Sequence, residues 1–162
     1  NTQVARSADY THLYFTEDFS GGGTFGYDAA SGRWSPLVNL GEFLNNSPSA
    51  VSRDGSLSAV RPPSAGTTIY DEDLDVVRQY LGTTQGLAFD PVRDRLYTIP
   101  YDSAFVAYDT NTWKKVFVRS GFSDGSMDAF DLWETGQMTV SGDGRPRAGR
   151  AGLGGGPVAG FR

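Results

Sequence analysis

The acids Glu17, Asp18, Glu42, Asp102, Asp124, Asp128, Asp131 and Glu134 fall in segments rich in glycine, serine and aromatic residues. A hard cation such as Ca2+ needs about six to eight oxygen ligands, and clustered acids with asparagine side chains and backbone carbonyls supply that kind of donor. No EF-hand spacing links these acids, and solvated surface carboxylates are the simpler reading. No cofactor is therefore expected, and Ca2+ is the ion these donors would suit. His12 is the single histidine, and no serine or aspartate stands with it in triad order. Strand packing or exposure is the preferred reading for it over acyl transfer. Gly21-Gly22-Gly23 lacks the Lys-Ser/Thr ending of a phosphate loop and reads as a hairpin tip. The absence of cysteine excludes disulfides, thiol catalysis and Cys-ligated zinc.

Aromatic residues offer the other chemistry. Trp133 lies close in sequence to Phe122, Phe130 and Leu132. It either anchors its own loop or forms a platform for a sugar ring or a partner chain. Asn45-Asn46-Ser47 is a formal glycosylation sequon followed by Pro48, which makes Asn45 a candidate glycan site.

The elements that must carry these residues repeat. Tyr-Asp pairs occur at Tyr27-Asp28, Tyr70-Asp71 and Tyr108-Asp109, separated by 43 and 38 residues. Around each pair runs one plan: an apolar strand, a turn around Asp, a second strand, a loop, a strand ending in Tyr-Asp, a turn and a fourth strand. First strands with their turns align as Val4–Asp9, Ala50–Gly55, Leu87–Asp94 and Met138–Gly144. Second strands are His12–Phe15, Leu57–Val60 and Leu96–Ile99, all rich in β-formers. Fourth strands start near Trp34, Val76 and Trp113, the first running on through Leu37 and Val38. Trp34 and Trp113 then take equivalent places and are expected to pack between modules. Asp71–Leu81 has some helical spacing, but the repeat outweighs it, and 124–135 has room for one helical turn. A period near 40 residues with four short strands per unit predicts an all-β fold of β-propeller blades, each of four antiparallel strands.

Residues 86–91 (Gly-Leu-Ala-Phe-Asp-Pro), Arg95–Thr98 and Val106–Thr110 resemble a YVTN-type blade, within the broad propeller superfamily of WD-repeat, NHL and YVTN-type proteins. The resemblance spans roughly residues 4–144, and the Gly-His and Trp-Asp dipeptides of WD repeats are absent. It implies that loops joining second to third strands, and fourth to next first strands, share a binding face. That face would hold Phe19, Tyr101, Phe130 and Trp133 as contact residues. YVTN-like and NHL-like propellers are similar to lactonase and hydrolase families with acids or metals at the central funnel. Under that alternative, Asp18, Asp102 and Asp128 are the candidate ligands of a metal-assisted enzyme. A carbohydrate-binding propeller using aromatic loops is a third reading.

A hydrophobic fraction of 38% with 13% aromatic residues favours a globular domain. There is no run of eighteen apolar residues, so no membrane span is indicated, and no signal-peptide pattern opens the chain. The first residue is Asn1, not Met, as in a processed or trimmed product. Arg145, Arg147, Arg150 and Arg162 put +4 on residues 144–162; taken from the net charge of −5, this leaves −9 on residues 1–143. So acidic a body repels phosphate and excludes nucleic acid as the expected partner.

Residues 1–144 then form a blade segment and 145–162 a Gly/Arg-rich tail or an incomplete fourth blade. That makes about three and a half blades, with the third strand of the fourth near residues 157–161. Single-chain rings need about four to eight blades. A fragment or assembly subunit is thus expected, open at its blade edges to self-association or to another protein chain. The expected role is a non-catalytic scaffold in an extracellular or periplasmic setting.

Overall fold

The computed structural model describes residues 2–17, 22–42, 49–61, 66–79, 84–100, 104–120, 137–143, 146–149 and 159–160. Strands β1 (Thr2–Arg6), β2 (His12–Glu17), β3 (Gly22–Asp28) and β4 (Arg33–Trp34) pair in chain order, all antiparallel, and β5 (Val38–Glu42) also pairs with β3. The second sheet is β6 (Ser49–Val51), β7 (Leu57–Val60), β8 (Thr68–Asp71) and β9 (Val76–Gln79). The third is β10 (Thr84–Phe89), β11 (Arg95–Pro100), β12 (Phe105–Asp109) and β13 (Lys115–Arg119). The fourth has β14 (Gln137–Val140), β15 (Pro146–Gly149) and β16 (Ala159–Gly160). The chain divides into two compact units, Asn1–Thr83 and Thr84–Arg162.

The aspartates of the repeat build the turns. After each third strand an Asp carboxylate caps the next backbone amides. Asp28 accepts from Ala30 N and Ser31 N, Asp71 from Asp73 N and Asp75 N, and Asp109 from Asn111 N and Thr112 N. A side chain that bonds backbone two residues on is what makes Asp a turn residue. The hairpins between first and second strands repeat a Ser-x-Asp-x-Ser/Thr pattern. Ser7 and Thr11 hydroxyls donate to Asp9, and His12 N donates back to Ser7 Oγ. Ser52 and Ser56 donate to Asp54 in the same way, with Leu57 N on Ser52 Oγ, and Ser141 donates to Asp143.

These bonds set the acid limit of the fold. The Ser7 hydroxyl and the Thr11 amide and hydroxyl hold the Asp9 carboxyl down at about 2. The Ser31 and Thr112 contacts likewise lower Asp28 and Asp109. A depressed folded pKa gives stability that is present above the ordinary carboxylate value and lost as pH falls through the folded value. Unfolding on acidification is therefore expected mainly between about pH 4 and 2, and Asp9→Asn should flatten that limb of a circular-dichroism pH titration. At the other end, burial first, then the charges of Glu72, Asp71 and Asp28, pushes Tyr14 up to about 12. Its contribution is full below the ordinary phenol value and disappears as pH rises toward that figure.

Among the described residues, Tyr10, Leu74 and Trp113 take a left-handed backbone without being glycine. Tyr10 has φ 64° where its counterpart Gly55 has φ 79°. A left-handed backbone costs an L-residue about 1 kcal/mol, which Asn tolerates better. The Tyr10 ring does hold the Arg6 guanidinium 3.8 Å from its centroid, a contact worth about 0.5 kcal/mol when exposed. Tyr10→Asn is thus expected to gain about 0.5 kcal/mol, read from the urea midpoint.

Three local expectations change. The fourth strand of the first sheet does not run on from Trp34 through Leu37 and Val38; it breaks at residues 35–37. Pro36 has no N–H to give the ladder. Ser35 takes over instead, with its N–H on Gly26 O at 2.9 Å and its hydroxyl accepting Gly26 N at 2.7 Å. Trp34 and Trp113 are not equivalent. Trp34 pairs with Tyr27 in a strand, while Trp113 sits at the turn position of Gly32, with φ 56° and its N–H on Asp109 O. Residues 146–149, left out of the strands above, form β15 against β14. Pro146 opens that strand, a position where its missing donor is tolerated. Residues 124–135, where a helical turn had room, lie outside the described residues.

The core of the first unit packs one sheet on the next. Tyr14 meets Val60, Tyr70 and Leu74, with Val38, Leu40 and Val51 around them. Tyr14 OH donates to Gly55 O at 3.0 Å, and Ala8 N to Arg53 O at 2.9 Å. In the second unit Tyr97, Phe105 and Ala107 form the core, with Ile99, Met138 and Val140 against it.

Candidate functional site

The contact residues expected from the sequence, Phe19, Tyr101, Phe130 and Trp133, lie outside the described residues, as do Asp18, Asp102, Asp128 and Asn45. Among the described residues, no group of three His, Asp or Glu side chains is placed to hold a metal ion.

The described site is a groove of about 280 Å³ in the first unit. It lies where the turn after β3 approaches the turn after β8, and its wall includes His12, Asp28, Ser31, Arg33, Glu72 and Asp73. Strand alternation explains the set. His12 is register partner to Asp28, and Asp28 to Arg33, so the three share one face of the sheet. Glu72 and Asp73 come from the exposed turn of the second sheet.

The geometry does not link nucleophile to base. The Ser31 hydroxyl donates to the Asp28 carboxylate, and His12 Nδ1 pairs with Thr11 Oγ1 at 2.8 Å. A general base must reach the proton it takes, and here the serine proton is held by the turn-capping acid. That same bond is the largest cause of the lowered Asp28 pKa. Three carboxylates against one guanidinium make the groove acidic. Reading Asp28 and Asp71–Asp75 only as turns missed this groove. The two turns belong to different modules, and only packing brings them together.

A second feature is an aromatic cluster on the other face of the first sheet, half-buried at Phe15, Phe25 and Tyr27. Phe15 and Phe25 stack with centroids 5.1 Å apart, and Trp34 lies 4.6 Å from Tyr27 and 5.6 Å from Phe15. Trp34 is 59% exposed.

The fold has close counterparts among solved structures. The WD40 repeats of RRP9 match at a TM-score of 0.61 and 15% identity, over 91% of this chain and 48% of that one. U3-55K matches at 0.61 and 15%, over 91% and 49%. Hydrazine synthase of Kuenenia stuttgartiensis matches at 0.61 and 17%, over 90% and 40%. The fold is β-propeller-like. The chain spans about half the length of the first two structures. No protein-family model and no curated protein matches the sequence.

These neighbours correct one expectation. The extracellular or periplasmic setting is overturned, because the likeness runs to WD40 structures such as RRP9 and U3-55K. The physical reason is that strand alternation and Asp-capped turns build a blade in any compartment, and an absence of cysteine marks none. WD40 neighbours also appear although the Gly-His and Trp-Asp dipeptides are missing, since those dipeptides are not what closes these sheets.

Proposed function

We propose that this chain is a propeller segment that works as a non-catalytic scaffold, binding another protein chain at its outer strands. The observation that carries the reading is β13. Every residue in it is exposed, and Val116, Phe117 and Val118 keep 47%, 50% and 54% of their surface open. An outermost strand with exposed apolar side chains is a template for strand addition. Phe117 also meets Phe105, with ring centroids 6.1 Å apart, so the valines can be changed without disturbing that contact. The loop aromatics Phe19, Tyr101, Phe130 and Trp133 are proposed as further contacts. The Gly86–Thr110 pattern supports a YVTN-like subtype for the blades.

The test is quantitative affinity capture with the chain as bait. Val116→Lys with Val118→Lys should lower recovery of bound proteins about fivefold, the effect of roughly 1 kcal/mol at a strand edge. Equal recovery by bait and variant would overturn the reading.

A further inference from the structure

The outer strand of the third sheet carries a charge that selects what can pair with it. β13 ends the strand order of that sheet, β10-β11-β12-β13. The two lysines of the whole sequence, Lys114 and Lys115, stand side by side where β13 begins, and both are exposed. Among the described residues, no carboxylate forms an ion pair with either ammonium. Asp109, the acid nearest to them in sequence, uses its carboxylate on the Asn111 and Thr112 amides and the Thr112 hydroxyl. A chain of net charge −5 thus places its only lysines together on one sheet edge.

Register fixes what lies beside them. Lys115 pairs with Tyr108 and Val118 with Val106, so Lys115 and Val118 share a face, while Phe117, opposite Ala107, lies on the other. Val116 is the extra residue of a bulge between those pairs. Lysine on an edge strand guards it against indiscriminate pairing, because a neutral or basic strand gains nothing from the ammonium. The guard lifts for a strand that brings carboxylates, since opposite charges across a strand pair stabilise it and like charges destabilise it. The outer strand of the second sheet gives the contrast. β9 is exposed throughout, but it follows Asp71, Glu72, Asp73 and Asp75, so its leading end is acidic. The two edges share exposed valines and differ in the sign of their charge.

We propose that β13 accepts an acidic extended segment of a partner protein. Its carboxylates meet Lys114 and Lys115, and its β-branched side chains lie along Val116 and Val118. The proposal rests on the interaction reading and adds the chemistry of the partner. Charge complementarity selects the segment and sets its register, while the apolar contacts hold it. A second β13 is a poor occupant, because the only charges it brings are those of lysine and arginine. Nucleic acid is a poor occupant too, because its phosphates leave the valines unused and meet an acidic chain around the lysines.

The experiment is fluorescence anisotropy with two labelled peptides of about eight residues, one joining a valine–threonine run to a pair of glutamates, the other with glutamines in their place. The chain should bind the glutamate peptide about tenfold more tightly than the glutamine peptide, and raising NaCl from about 50 to about 500 mM should remove most of that difference. Lys114→Glu with Lys115→Glu should reverse the preference, and Lys114→Arg with Lys115→Arg should keep it, each with an unchanged circular-dichroism spectrum. Equal binding of the two peptides overturns the proposal but leaves the edge itself as a docking strand. Binding of neither peptide overturns it, as does a preference that survives Lys114→Glu with Lys115→Glu. An oligothymidylate bound as tightly as the glutamate peptide overturns it as well, by assigning the lysines to polyanions in general. The interaction reading is tested separately on Val116 and Val118, so its failure is distinguishable from a failure here.

Discussion

Asp90→Ala lowers the stability of the chain by about 3 kcal/mol, the loss expected when a buried charged acceptor leaves its donors behind. Asp90 is 1% exposed. It stands in the third hairpin where the first two carry Ser7 and Ser52, and it does more than either serine. Its carboxylate accepts Val92 N at 2.8 Å and Arg93 N at 3.0 Å, which closes the turn. It also accepts the Tyr97 hydroxyl at 2.7 Å and faces Arg93 Nη1 at 3.4 Å. Alanine takes away the acceptor of the Tyr97 hydroxyl proton and leaves two turn amides without theirs. At a urea slope of about 2 kcal/mol/M, the midpoint falls by about 1.5 M. Asp90→Asn keeps the shape and one acceptor oxygen, and should cost about half as much. Equal losses for the two variants would show that charge, not acceptor geometry, holds the turn. An unchanged midpoint for Asp90→Ala would refute the account. Tyr97 supplies a second readout. Burial, then the bond to Asp90, raises its pKa, so absorbance titration of Asp90→Ala should move the phenol down toward its ordinary value.

Gly55→Ala is expected to cost about 3 kcal/mol, in two separable parts. The first is backbone conformation, since Gly55 sits at φ 79°, where an L-residue pays about 1 kcal/mol. The second is contact between modules. A Cβ on Gly55 would lie 2.3 Å from His12 Cγ and Nδ1 and 2.6 Å from His12 Cβ. Those are the near atoms of the side chain, so no swing of a flexible end relieves the overlap. The backbone beside it is also tied, because Gly55 O accepts Tyr14 OH. Adding His12→Ala removes the two 2.3 Å overlaps and keeps the 2.6 Å contact with the residue-12 Cβ, so the double variant should recover about 1 kcal/mol of the loss. A double-mutant cycle with no coupling between positions 12 and 55 would show that the first two sheets do not pack at this hairpin. The same cycle assigns the lone histidine a structural role.

Several features were legible along the chain because they are local. The Tyr-Asp spacing marked the ends of three third strands, since the aspartate that caps a turn must follow the strand directly. The stretch 157–161, expected to hold the third strand of the fourth module, contains β16. The helical spacing of 71–81 lost to β9 because register with β8 pairs Tyr70 with Val76. Other local expectations failed for equally local reasons, as where Pro36 broke the first outer strand.

The amino-acid sequence by itself determined the repeat, the strand order within each sheet and the capped turns, because each depends on residues a few positions apart. Tertiary structure alone decided which face of each sheet is covered. Tyr14 and Phe15 are adjacent and similar in size, yet one is buried against the second sheet and the other lies half-buried on the opposite face. Alternation sends neighbours to opposite faces but does not say which face meets a partner. That depends on the sheet stacked beside it, some forty residues away in sequence.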